Sequence, residues 1–408
     1  MKYIELYEIK KNWKGKVCIF GTGGTGTTWA FDLLSAAGFT INAYCDNAKK
    51  EGIIVVDGIK TISPKTLYSY QDQVLVFIGI DNPLHQHSIS KQLEKNGIQH
   101  IINLGYFSVQ ECIEDLMGIN DPLLNEQFRN LLDDKEFLCR KFERMLGCHL
   151  NLENPQTFNE KLQWLKLYDR KPEYINLVDK FEVKKYIAAK IGEKYVIPTF
   201  GVYENFDEID FNKLPQQFVL KCTHDSGSVV VCKDKEAFDK DAAKEILETG
   251  LKRNFYLMAR EWPYKSVPRK IIAEEYLVDE SGKVGGLEDY KFFCFSGQAK
   301  ILLIAQCRMD CEHETTTDFF NEKREHIKMK SEHENATVPP QMPKNYLKMK
   351  ELAEKISAGI PHIRVDFYEV NGKIYLGELT FFHQGGFVPI EPYEKDLELG
   401  SFIQLENC

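Results

Sequence analysis

The chain carries 61 acidic and 52 basic side chains over 408 residues, a formal charge of −9 at neutral pH, with 43% hydrophobic and 28% charged residues. At about 100–200 residues per domain, two or three domains are expected, and the composition excludes a disordered or fibrous chain. An acidic total argues against broad binding to nucleic acid or anionic membrane. No apolar run reaches the ~18–20 residues of a membrane span, and residues 1–8 mix charge into every turn, unlike a signal peptide. The expectation is a cytoplasmic protein that binds no nucleic acid and is not an integral membrane protein. Its eleven cysteines lie mostly in apolar stretches, where free cysteine behaves as a small core residue. Cys307, Cys311 and His313, with His326 and His333 downstream, follow no common zinc spacing.

In chain order, the first elements alternate. Residues 16–20 read as a buried strand, 27–37 as a helix, 40–45 and 74–78 as strands, 83–96 as a helix and 100–104 as a closing strand. That alternation predicts a Rossmann-like parallel sheet over residues 1–120, followed by a helix-rich stretch with a joint near Asp121-Pro122. Gly21, Gly23 and Gly26 lie between the first strand and its helix, where backbone N–H groups approach a phosphate, and Asp46 closes the second strand, where an acid accepts from a ribose hydroxyl. This module resembles the small N-terminal Rossmann modules of bacterial polysaccharide-modifying enzymes such as sugar acyltransferases. A nucleotide or nucleotide sugar at the loop and a purely structural glycine turn stand as equal readings.

Residues 121–408 read as α+β. Helices are predicted over 158–167 and 177–191, and antiparallel strands over 218–222, 228–232, 271–277, 289–295 and 300–305; residues 310–343 are polar and loop-like. Lys221 ends a strand and precedes Ser226-Gly227-Ser228, a combination that suits a triphosphate because loop N–H groups and an ammonium neutralise phosphate together. The alternative is a snorkelling lysine beside an ordinary hairpin turn. Glu274, Glu275, Tyr276 and Leu277 end another strand, where an adenine would use the backbone of Tyr276 and Leu277; a solvated strand end is the alternative.

The sharpest element runs from Ile363 to Thr380 as a hairpin. A two-residue Asn371-Gly372 turn puts Asp366 and Glu378 on opposite faces. A three-residue loop, Val370 to Gly372, puts Arg364, Asp366 and Glu378 on one face and Val365, Phe367, Tyr375 and Leu379 on the other. The three-residue loop is the expectation, because its apolar face then suits a core; two carboxylates on the other face can bridge Mg²⁺ to phosphate. Arg364 could then stabilise a developing acyl phosphate or oxyanion. An Arg–Glu ion pair beside a solvated Asp is the alternative.

The ordered set resembles the ATP-grasp fold, and more closely the TupA-like ATP-grasp family of bacterial surface-polysaccharide clusters. Residues 154–164 (Asn-Pro-Gln-Thr-Phe-Asn-Glu-Lys-Leu-Gln-Trp), 219–228, 289–293 and 377–381 carry the likeness, which covers roughly residues 125–400. The resemblance implies that Lys180 and Lys221 contact ATP phosphates under Ser226, Gly227 and Ser228, and that Glu274 to Leu277 line the adenine pocket. It further implies Asp289 as a ribose partner, Lys291 as a phosphate contact, and Asp366 and Glu378 as Mg²⁺ ligands. Thr380 replaces the asparagine many ATP-grasp enzymes use, which puts a second metal position in doubt. The implied activity is ATP-dependent ligation of a carboxylate to an amine through an acyl phosphate. The implied substrate is a uronic acid or amino acid in a polysaccharide precursor, with other polysaccharide-assembly enzymes as partners. His224, Arg308 and Asp318 are substrate-side candidates. A glycosyltransferase and a non-catalytic ATP-binding assembly partner are the competing readings.

Overall fold

The computed structural model describes residues 2–23, 29–118, 131–279, 287–307 and 314–405. Gly26, Arg308, Cys311, His313 and the Asp121-Pro122 joint lie outside them. Contacts divide the chain into two units, Met1–His149 and Leu150–Cys408. The division falls after the helix Asp134–Leu146 and not near residue 120, because that helix packs on the first unit. Phe137 stacks on Trp29 at 4.8 Å, and Arg144 pairs with the buried Asp32 at 2.7 Å.

The first unit holds β1 (Lys16–Phe20), β2 (Ala43–Cys45), β3 (Ile54–Val56), β4 (Ile59–Ile62), β5 (Val74–Ile78) and β6 (His100–Asn103). Their order is β3-β4-β2-β1-β5-β6, parallel throughout except for the β3–β4 hairpin, which was not anticipated. The apolar runs of β1 and β5 are explained by burial on both faces of a parallel sheet. In the first crossover, predicted as a helix over 27–37, Phe31–Ala36 is α-helical, and residues 27 and 28 lie outside the described residues.

The second unit holds β7 (Thr199–Tyr203), β8 (Phe218–Cys222), β9 (Val229–Cys232), β10 (Ile271–Glu275), β11 (Asp289–Phe295), β12 (Gln298–Gln306), β13 (Thr316–Asn321), β14 (His326–Ile327), β15 (His362–Val370) and β16 (Lys373–Thr380). They form two antiparallel sheets, ordered β7-β10-β8-β9 and β14-β13-β12-β11-β15-β16. The main core lies on the six-stranded sheet under the helices Phe158–Tyr168 and Tyr346–Ser357. A smaller core joins the four-stranded sheet to the helix Lys240–Lys252.

Two predicted elements differ in this unit. The loop-like stretch 310–343 contains β13, in which Phe319 and Phe320 bury their rings and Asp318 is buried on hydrogen bonds from His326 and the Ala336 N–H. The helix predicted over 177–191 is two helices, Glu173–Val178 and Glu182–Lys190. Asp179 breaks it: its Oδ1 accepts from the N–H groups of Phe181 (2.7 Å) and Glu182 (3.0 Å), a side-chain bond that competes with helix continuation. Among the described residues, no helix is long and apolar enough to cross a membrane.

Candidate functional site

The hairpin β15–β16 is closed by a two-residue turn, with Val370 opposite Lys373 and positive φ at Asn371 (52°) and Gly372 (78°). The expected three-residue loop is therefore wrong. Asn-Gly favours this turn because both central residues must be left-handed. The acids still share a face, because the register shifts between Asp366 and Phe367. Phe367 pairs with Leu376, Asp366 with Glu378 and Arg364 with Thr380, leaving Gly377 as the extra residue of a bulge. Leu376, not Tyr375, joins Val365, Phe367 and Leu379 in the core. Tyr375 lies opposite Tyr368 on the other face.

Across β15, Asp366 also faces Lys291 of β11. Asp366 is 1% exposed. It accepts from Arg364 Nε and Nη2, each at 2.7 Å, and from Lys291 Nζ at 2.5 Å. Burial alone would raise its pKa, but the Arg364 and Lys291 charges outweigh that and hold the carboxyl far below the usual range. Glu378 accepts from Arg364 Nη2 at 3.1 Å, and its side chain is 44% exposed. Asp289, at the start of β11, is buried with Oδ1 3.4 Å from Lys291 Nζ.

The four-stranded sheet contributes the lysines. Lys221 on β8 forms an ion pair with the buried Glu274 of β10, and Lys184 pairs with the same carboxylate at 2.6 Å. Burial opposes ionisation of Glu274, yet Lys221 and Lys184 lower its pKa overall. The break at Asp179 places Lys180 against the loop after β8: its N–H donates to the Thr223 carbonyl (3.1 Å) and its ammonium to the Asp225 carbonyl. Burial lowers the Lys180 pKa, with Glu378 pulling the other way. Lys180, Lys184 and Glu274 border one small gap with Leu376 and Gly377 of β16, so the lysine cluster and the carboxylate hairpin meet. Ser226 and Gly227 are exposed at the loop tip, Gly227 with φ +96°. Ser228 is buried and donates to Asp225 Oδ2 (2.5 Å), which Arg253 also reaches at 3.3 Å.

Beyond this charge cluster lies a pocket of about 720 Å³. Glu275, Tyr276 and Leu277 form one wall; Gln217, Lys233, Lys373 and Tyr375 lie around it. The volume falls within the range of roughly 300–1,000 Å³ common for small-molecule sites. Glu274 does not line this pocket but serves the lysines as their counter-ion.

The remaining candidates fall elsewhere. Asp318 lies on the opposite face of the six-stranded sheet from Asp366, where it accepts from His326 (2.8 Å) and the Ala336 N–H (3.2 Å). His224 is buried on the loop after β8 and donates through Nε2 to the Arg253 carbonyl (3.1 Å). In the first unit, Gly21 has φ +113°, and a Cβ there would come 2.8 Å from Ile80. A Cβ on Gly23 would meet nothing within 4 Å. Asp46 accepts through Oδ2 from Thr22 N (3.1 Å) and Thr22 Oγ1 (2.7 Å), holding the glycine loop, and through Oδ1 from Ala48 N (2.9 Å) in its own turn. Among the described residues, no group of three or more His, Cys, Asp or Glu gathers as a metal site.

Lys184, Tyr375, Gln217, Lys233 and Lys373 were not anticipated. Lys184 had a signal: it stands one helical turn after Lys180. The pocket residues had none, because its lining comes from five separated segments.

The family model described as TupA-like ATPgrasp matches residues 160–404. None of the curated proteins matches the chain. Among solved structures, a D-alanine–D-alanine ligase from Helicobacter pylori is similar at 14% identity, over 61% of this chain and 70% of that one, with a TM-score of 0.33. An L-amino acid ligase from Bacillus licheniformis is similar at 12% identity, over 92% and 69%, with a TM-score of 0.32. A RimK domain ATP-grasp protein from Sphaerobacter thermophilus is similar at 11% identity, over 95% and 99%, with a TM-score of 0.30.

Proposed function

The chain belongs to the TupA-like ATPgrasp family, and on that premise we propose that it is an ATP-dependent ligase joining a carboxylate to an amine, acting on a uronic acid or amino acid of a bacterial surface-polysaccharide precursor. The observation that carries the reading is the face shared by Arg364, Asp366, Glu378 and Lys291, meeting Lys180 and Lys184 beside a nucleotide-sized pocket. Adenine would sit against Tyr276 and Leu277. The triphosphate would run toward Lys221 and Lys180 beneath the loop Ser226–Ser228, with Asp289 near the ribose and Lys291 on a phosphate.

The donor set fits a hard divalent cation in type: two carboxylates on directly opposed strand positions, Asp366 and Glu378, with the Thr380 hydroxyl beside Arg364 at 3.0 Å. Mg²⁺ there would neutralise phosphate charge. It would compete with Lys291 and Arg364 for the Asp366 oxygens, which favours binding together with a phosphate that takes over those cations.

In the reaction, a carboxylate oxygen attacks the γ-phosphorus and the bond to ADP breaks. The amine nitrogen then attacks the acyl carbon, phosphate departs and the nitrogen loses a proton. Lys180, Lys221 and Lys291 offset negative charge on the transferring group, and Arg364 stabilises the acyl phosphate oxygens.

The test is ADP release on screening uronic acids and amino acids against amines. Release that requires both a carboxylate and an amine is expected. Release of a nucleoside diphosphate from a sugar donor, or tight ATP binding without turnover with any pair, would overturn the ligase reading.

A further inference from the structure

Arg364 is the most heavily engaged cation at the site. Nε and Nη2 grip Asp366, Nη2 also reaches Glu378 and Thr380, and Nη1 lies 2.8 Å from His383 Nδ1. We propose that His383 is a positioning residue for Arg364, turning the guanidinium so that its free Nη1 hydrogen meets the substrate; this rests on the ligase reading above.

A guanidinium has no acceptor, so His383 Nδ1 must accept and the ring proton must sit on Nε2. That Nε2 is buried and has no hydrogen-bond partner. A buried unpaired N–H is costly, and an apolar side chain would avoid the cost. The fold keeps a histidine where only its acceptor is used. Burial also lowers the pKa of His383 well below its ordinary value, which preserves the neutral acceptor.

The loop carrying His383 is held in one shape. Gln384, Gly385 and Gly386 have φ of 50°, 62° and 67°, three left-handed residues in succession. Gln163 Nε2 donates to the carbonyls of Gly385 (3.2 Å) and Gly386 (2.7 Å), and the fully buried Lys166 donates to Gly385 (2.6 Å). A Cβ at Gly386 would meet Gln163 Nε2 at 2.4 Å, so glycine is required for this approach. The imidazole is fixed edge-on to Phe293, with centroids 4.9 Å apart. Asp366, Glu378 and Thr380 all hold Arg364 through Nε and Nη2, on one edge of the guanidinium; His383 holds the other edge, at Nη1.

The full-length chain tests this with His383→Leu, which removes the acceptor, and His383→Asn, which restores one near the Nδ1 position. In the nucleotide-free protein, nitrogen NMR should show His383 protonated on Nε2. Arg364 Nη signals should be distinct in wild type and in His383→Asn, and averaged by rotation in His383→Leu. With a substrate pair that releases ADP, His383→Leu should lose at least about tenfold in kcat with KM for ATP little changed, and His383→Asn should recover most of it. Wild-type kcat or unaltered Arg364 signals in His383→Leu, or equal losses in both variants, would overturn the proposal. If wild type releases no ADP with any pair, the ligase reading falls while the Arg364 spectra still decide this one.

Discussion

Asp366→Asn and Glu378→Gln remove the same charge from opposed positions, yet the structure predicts different costs in stability. Asp366 is 1% exposed and takes bonds from Arg364 and Lys291. Asparagine keeps one acceptor oxygen and turns an amide donor toward those cations. Removing one partner of a buried ion pair costs about 3–5 kcal/mol, a large share of the roughly 5–15 kcal/mol of a typical domain. Glu378 is 44% exposed and takes one bond from Arg364 at 3.1 Å, which for an exposed pair is worth about 0–1 kcal/mol. The sign with pH follows from the depressed pKa of Asp366: its contribution is full above the unfolded carboxylate value near 4 and is lost as pH falls toward the folded value. Urea unfolding at neutral pH, following the transition of the second unit, reads the difference. Both variants should lose ADP release by roughly a hundredfold or more if the pair holds Mg²⁺, but only Glu378→Gln does so at nearly unchanged stability. Equal stability losses, or an Asp366→Asn cost below about 1 kcal/mol, would refute the picture of Asp366 as a buried hub. Retained activity in either variant would refute the metal assignment.

Two further outcomes are expected. Burial raises the Asp396 pKa to about 6 despite bonds from Asn159. Because the folded value exceeds the unfolded one, Asp396 should lose about 1.4 kcal/mol of stability per pH unit as pH rises from about 4 to 6. His362, its pKa pushed down to about 3 by burial, acts in the opposite sense below pH ~6.5. Thermal melts of wild type and Asp396→Asn against pH isolate the first effect, and parallel curves would contradict it. A Cβ at Gly377 would come 2.9 Å from Tyr368 Cε2, so Gly377→Ala should push that ring aside and cost about 1–3 kcal/mol, the usual range for overpacking. An unchanged melting temperature would mean the bulge is not where it is described.

Much of the fold was legible because burial writes itself into local composition. The strands Lys16–Phe20, Val74–Ile78, Phe218–Cys222 and Asp289–Phe295 match their apolar runs end to end. Failures came where a side chain overrode periodicity. Asp179 caps a new helix inside an apolar helical pattern, and β13 hides two buried phenylalanines in a polar stretch. The conspicuous helix 158–168 turns out to have a mechanical role. Asn159 binds Asp396 and the Val388 carbonyl, Lys161 caps the carbonyls of Gly400 and Ile403, and Gln163 and Lys166 clamp the loop bearing His383. The pocket walls were not legible, since segments around 217, 233, 276 and 375 converge only after the sheets form.

The hairpin shows how far pattern reasoning reaches. Side chains alternate with a period of two, so Asp366 and Glu378 share a face only if one residue beyond a regular two-residue hairpin is inserted somewhere between them. The need for an extra residue is a parity argument and requires no coordinates. Where it goes is a different question, since a longer turn and a bulge satisfy parity equally. Asn371-Gly372 already meets the demand of a tight turn, leaving the strand to absorb the insertion. The residue that does so is Gly377, and an isolated glycine inside a strand is itself the mark of a bulge. Both clues stood within eight residues of each other. The turn chemistry and the acid pairing conflict only if the ladder is assumed to be unbroken, and the bulge beside the proposed metal ligand reconciles them.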